Sequence, residues 1–141
     1  MKRYSLALAA ALTLLAGAAQ AETVMFHATL SGANEVPANT EKGTGMVMAT
    51  LDTVTKVFNY DVTYSGLTGP ARAAHFHGPA LPGANAPPSV PIASPVSPIK
   101  GTATLTDAQV ADLQAGKWYF NVHTEAHGPG ELRAQLTAGG H

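Results

Sequence analysis

Six histidines occur in the chain, and four of them fall in two short segments, Ala73-Ala74-His75-Phe76-His77-Gly78-Pro79 and Asn121-Val122-His123-Thr124-Glu125-Ala126-His127. His75 and His77 are two residues apart. On a β-strand, residues i and i+2 leave the same face, roughly 6.5–7 Å apart along the backbone. Two imidazoles at that spacing reach one ion, and Phe76 between them points the other way, toward a core. In the second segment Trp118, Phe120 and Val122 alternate with Tyr119, Asn121 and His123. The apolar set reads as a core face, so His123 leaves the sheet on the opposite side, in phase with His75 and His77. Gly128-Pro129-Gly130 breaks the strand, and a short loop there can fold His127 back over the same spot. The expectation is a metal site of His75, His77, His123 and His127 on the outer face of a β-sheet. A single H-x-H pair is more often a pair of solvated residues; two such clusters in one strand phase favour metal. Imidazole suits copper, zinc, nickel and iron, so donor type narrows the ion little.

Other donors lie nearby in sequence. Glu125, between the two late histidines, is a candidate fifth ligand, an acceptor for a ligand's N–H, or a solvated turn residue. Met46 and Met48 share a strand face and are soft donors for Cu(I), though methionine more often packs. His27 lies on a strand outside both clusters, and His141 ends the chain.

The elements that must hold these residues are short strands. Thr23 to Ser31, Gly43 to Asp52, and Lys56 to Tyr64 each alternate apolar and polar residues, and the second and third read as a hairpin. Residues 78 to 98 hold seven prolines among Ala, Gly and Ser, which argues against a regular interior strand there. A connection of that length beginning at His77 either walls the site or is a surface excursion. Ile99 to Leu105 reads as a strand. Thr106-Asp107-Ala108-Gln109 has the form of a capping box, and Gly116 is a natural stop, which predicts one short helix of about ten residues. Lys117 to Thr124 and Glu131 to Thr137 complete the set, the last with Leu132, Ala134 and Leu136 opposite Glu131, Arg133 and Gln135. Six to eight short strands with one helix predict an all-β, antiparallel Greek-key β-sandwich.

The start of the chain reads differently. Lys2 and Arg3, the apolar stretch Leu6 to Ala16, and Ala19-Gln20-Ala21 have the form of a secretory signal peptide spanning residues 1–21. The apolar stretch is shorter than the ~20 residues a membrane span needs. Residues 22–141 then form one domain with one core, exported to a periplasm or secreted. Loss of Lys2 and Arg3 takes the formal net charge from −1 to −3. No basic patch remains, which argues against nucleic acid as a partner. No cysteine is present. That removes thiolate zinc and His₂Cys copper sites, and leaves stability to the core and to any bound ion.

Leu30-Ser31-Gly32-Ala33-Asn34-Glu35-Val36-Pro37, Ala74-His75-Phe76-His77-Gly78-Pro79, Val122-His123-Thr124 and Gly130-Glu131-Leu132-Arg133-Ala134-Gln135-Leu136, in that order, resemble the CHRD (chordin-type) domain. The resemblance covers nearly all of residues 22–141. It implies an extracellular β-sandwich and no single activity. In animals the domain occurs in chordin, an extracellular antagonist of bone morphogenetic proteins. This chain lacks chordin's cysteine-rich modules, so growth-factor binding is not carried over. A second resemblance concerns the site alone. A strand bearing H-x-H and a late strand bearing another histidine are similar to the copper ligands of Cu/Zn superoxide dismutase, with His75, His77 and His123 at the matching positions. The cysteine pair and the His/Asp-rich zinc loop of that family are missing, and Arg133 is the candidate for its anion-guiding arginine.

Three function classes follow. A histidine site for one copper ion, with zinc as second choice, would serve copper binding, storage or transfer. The same ion with an open position would support dismutase-like chemistry on a small anion such as superoxide. A metal-free extracellular interaction domain is the third. No G-x-S-x-G motif or paired carboxylates suggest a hydrolase.

Overall fold

The computed structural model describes residues 11–13, 17 and 20–139. The signal peptide expected over residues 1–21 lies for the most part outside them, as does His141. Strands β1 (Thr23–Ser31), β2 (Thr44–Asp52) and β3 (Val57–Ser65) form an antiparallel meander. Their register puts Phe26 opposite Ala49, Ala28 opposite Val47, and Val47 opposite Val62. One face of all three strands is therefore apolar and buried, as the period-two pattern requires. A single 3-10 turn, Gly32–Asn34, follows β1.

Strand β4 (Ala73–His77) carries the H-x-H motif and pairs with β7 (Tyr119–His123), which pairs with β8 (Leu132–Gln135). Strand β5 (Pro88–Pro91) lies in the proline-rich stretch where no interior strand was expected. It pairs only with β4, at the end of the sheet. Edge position is what makes this possible, because a proline there forgoes no ladder bond on its outer side. Strand β6 (Ile99–Thr104) pairs with β3, and β9 (Thr137–Ala138) pairs with β1. Helix α1 (Asp107–Gln114) has the expected capping box: Gln109 N donates to Thr106 Oγ1 at 3.2 Å, and Thr106 N donates to Gln109 Oε1 at 2.9 Å.

The strand order is β5-β4-β7-β8-β1-β2-β3-β6. Four strands separate β4 from β3 in this order, yet Phe58 of β3 meets Phe76 of β4 edge-on at 5.2 Å and Trp118 at 5.8 Å. The sheet therefore folds over on itself into a nearly closed sandwich. Phe26, Phe58, Phe76, Trp118 and Phe120 fill the space between its halves and are almost fully buried. Each such side chain contributes ~1.5–3 kcal/mol by leaving water. The links from β3 to β4 and from β6 to β7 cross between the halves, compatible with the Greek-key arrangement. Among the described residues no helix is long and apolar enough to cross a membrane.

Candidate metal centre

Strand register builds the site. On the outer face of β4, β7 and β8 stand His75 and His77, then Tyr119, Asn121 and His123, then Arg133 and Gln135. The core face carries Ala74, Phe76, Phe120, Val122, Leu132 and Ala134. His75 lies opposite Asn121, and His123 lies opposite Ala73, so His123 is one diagonal step from His75. One donor atom from each of His75, His77 and His123 lies within 4.8 Å of the others. Nδ1 of His75 is 3.4 Å from Nε2 of His123, and the ring centroids of His75 stand 5.4 Å from His77 and 5.3 Å from His123.

Hydrogen bonds orient two of the rings. His123 Nδ1 is 2.8 Å from Gly128 O, and His77 Nδ1 is 2.8 Å from Ala86 O. A carbonyl oxygen only accepts, so Nδ1 of His123 carries the proton, and Nδ1 of His77 carries it whenever Nε2 is to bind an ion. The Nε2 atoms are then the metal-facing donors, the arrangement in which an N–H to a carbonyl fixes a ligand's tautomer. Burial lowers the pKa of His75, helped by the neighbouring His123 and His77. Burial also lowers that of His77, against the hydrogen bonds to Ala86 and Asn121 that favour its charged form. Both rings are neutral near pH 7, as metal binding needs.

His127 is not brought into this group. Its Nε2 is 3.0 Å from Glu41 Oε1, and its main chain closes the turn after β7, where Gly130 N donates to His127 O at 3.0 Å. Glu125 also turns away, to Arg72 at 2.6 Å on the surface. The loop after β7 thus contributes Gly128 O, which orients His123, while its own histidine pairs elsewhere.

Beside the triad lies a polar layer that strand alternation does not reveal. The ring of Tyr119 stacks on His77, with centroids 4.7 Å apart and planes 3° from parallel. The guanidinium carbon of Arg133 sits 3.5 Å from the centre of the same ring. Strands β4 and β8 flank β7, so His77 and Arg133 cover opposite faces of Tyr119. Arg133 was the candidate anion-guiding residue, but its side chain is 1 % exposed. Nη2 donates to Ala84 O at 2.7 Å and Nη1 donates to Asn85 Oδ1 at 3.1 Å. The hydroxyl of Tyr119 accepts from Ala86 N at 3.1 Å. Arg133 and Tyr119 together hold residues 84–86, and that segment supplies the carbonyl that orients His77.

Two carboxylates are buried beneath this layer. Glu131 accepts from Thr68 N at 3.0 Å and from Thr124 Oγ1 at 2.9 Å. Burial raises its pKa, but the hydrogen bonds from Thr68 and Thr124 outweigh burial and hold it below the usual range. Glu35 is 4 % exposed, and its Oε1 has no hydrogen-bond partner. Burial raises its pKa to about 7 against the pull of Arg133, the Val36 N–H and the Asn121 amide. The Asn121 amide lies close enough to favour the anion, yet Oε1 itself makes no bond of acceptable distance and angle. Gly130 passes over this carboxyl at φ +137°, where a Cβ would stand 2.3 Å from Glu35 Oε1. Only glycine serves there. Glu35, Glu131 and Arg133 all lie in the segments that carry the CHRD resemblance, but nothing in their spacing signals burial.

Fold and site together define an all-β antiparallel domain carrying three convergent histidines on its outer face. The chain belongs to the CHRD domain family, whose pattern matches residues 26–136. Neither a curated protein nor a solved structure matches it. No comparison supports the resemblance to Cu/Zn superoxide dismutase, which rests on the H-x-H strand and the late histidine of the sequence alone.

Proposed function

We propose that this CHRD domain is an exported copper-binding protein whose ion is held by His75, His77 and His123 and serves copper storage or transfer. The observation that carries the reading is the convergence of three imidazole donors, two of them with Nδ1 facing a backbone carbonyl. All-nitrogen coordination suits Cu(II) and Zn(II), and copper binds more tightly at an equivalent site. Zinc is the second choice. His127 stands aside from the triad in its contact with Glu41, so we take it as a neighbour of the site and not as its fourth ligand.

The dismutase-like alternative draws on one feature. Three protein donors are fewer than copper takes, so water or a small anion completes the shell, as in catalytic sites with an open position. Arg133 is a positioning residue in this reading, because its guanidinium is buried against Tyr119 and residues 84–85.

Cu(II) titration followed by electron paramagnetic resonance tests the site. One equivalent should give a type 2 spectrum with nitrogen couplings, and the His75→Ala/His77→Ala variant should lose it. An unchanged spectrum in that variant places copper elsewhere. Superoxide decay after pulse radiolysis separates the two functions. A loaded protein no faster than copper in an inert chelator leaves storage or transfer.

A further inference from the structure

All the methionines of the chain except Met1 lie on one outward sheet face: Met25 on β1, Met46 and Met48 on β2. None is in the core, where methionine ordinarily fills gaps. Instead they are 57 %, 41 % and 48 % exposed. His27 stands among them. It is directly opposite Met48, while Met25 is opposite Thr50 and Met46 opposite Thr29. Directly opposed side chains start ~4.5–5.5 Å apart and diagonal ones ~7–8 Å apart. Met25 and Met48 form one such diagonal, and His27 and Met46 another. Flexible thioether side chains of Met25 and Met48 at these distances can reach one point above His27.

A shallow cleft of about 340 Å³ marks that point, lined by Met25, His27, Met48, Asn59, Tyr60 and Asp61. The acid at its rim, Asp61, is paired with Lys100 at 3.1 Å. With Asp61 so paired, the donors facing the cleft are two thioethers, one imidazole and the neutral oxygens of Thr50 and Asn59. A hard dication would gain little from them, whereas soft sulfur ligands select Cu(I). Strand β8 lies between this face and β7, which carries His123, so the two donor sets are separate.

We propose that Met25, His27 and Met48 form a second site, selective for Cu(I). It does not depend on the triad: either site can exist without the other.

The test uses Ag(I), a redox-inert soft monovalent cation, with the protein carrying ¹³C-labelled methionine methyl groups. The His75→Ala/His123→Ala variant removes competition from the triad. Ag(I) should shift the methyl resonances of Met25 and Met48, and Met25→Leu/Met48→Leu should weaken Ag(I) binding at least tenfold. Leucine keeps the apolar volume at these exposed positions, so folding is not at stake. Methyl resonances that do not move, or an affinity unchanged by leucine, overturn the site. So would methyl signals that broaden with protein concentration in the absence of metal and ignore Ag(I), which would make the face a contact between copies.

Discussion

Nε2 of His77 lies 2.8 Å from Oδ1 of Asn121. The other ring nitrogen faces Ala86 O at the same distance. Two oxygen acceptors can both be satisfied only by an imidazolium, yet burial holds the pKa of this ring below its usual value. The neutral ring has one proton to place. On Nδ1 it bonds Ala86 O and leaves Nε2 for an ion; on Nε2 it donates to Asn121 Oδ1 and blocks the ion. Asn121 therefore competes with any metal for Nε2. A metal resolves the conflict by taking the lone pair. Asn121→Ala removes the competitor. Since one hydrogen bond is worth about 0.5–1.5 kcal/mol net, copper affinity should rise a few-fold to about tenfold while apo stability falls. Competition titration against a chelator reads the first and thermal melting the second. A loss of affinity would mean that Asn121 supports the ligand and does not oppose the ion.

Arg133 should matter to the metal without touching it. Its guanidinium holds Ala84 O and Asn85, next to the carbonyl that orients His77. Arg133→Gln should cost about 3 kcal/mol of stability, by leaving buried acceptors unpaired. It should also weaken copper binding. Lysine should not rescue it, because a single ammonium neither forks between two oxygens nor stacks flat on Tyr119. Urea unfolding and copper titration on the same variants check both statements.

The pH dependence of the apo-protein has two opposed parts. His75 and His77 have pKa values lowered on folding, so the unfolded chain takes up protons first, and stability falls as pH drops below ~6.5. Glu35 has its pKa raised from 4.5 to about 7, so the native state holds a proton the unfolded chain has lost. Its contribution falls as pH rises from about 4.5 to about 7, by ~3 kcal/mol at most. Glu35→Gln should therefore flatten the upper part of the profile and leave the acid side governed by the histidines. Melting temperature from pH 4 to 9 for both proteins is the measurement.

Metal should stabilise the fold by mass action. Binding to the native state alone adds about 2.7 kcal/mol when free ion is a hundred times Kd. The gain should vanish with chelator and shrink as pH falls, because protons compete for the imidazoles. His127→Ala should leave the gain intact, since His127 faces Glu41. His123→Ala should abolish it. Calorimetric melting with and without copper at pH 7.5 and pH 5.5 checks all three.

Periodicity by itself determined most of the strands, because a buried sheet face demands alternation and the chain supplies it. It also set the common phase of His75, His77 and His123, and the capped helix followed from Thr106 and Gln109. The edge strand β5 was hidden, because proline argues against interior strands and only the assembled sheet shows where its edge lies. Tertiary structure alone decided which histidines come together. His127 and His123 are four residues apart, but the turn at Gly128-Pro129-Gly130 sends one to Glu41 and leaves the other beside His75. It also decided that Glu35, Glu131 and Arg133 are buried. In sequence Glu131 and Arg133 alternate like solvent-facing residues, and Glu35 lies in a turn-rich loop after β1. Only the packing of the segments at 34–39, 67–68 and 84–86 over the outer face removes them from water. Strand phase is a local property, carried by successive residues. Burial of an outer face depends on which distant loops cover it, and no local pattern carries that.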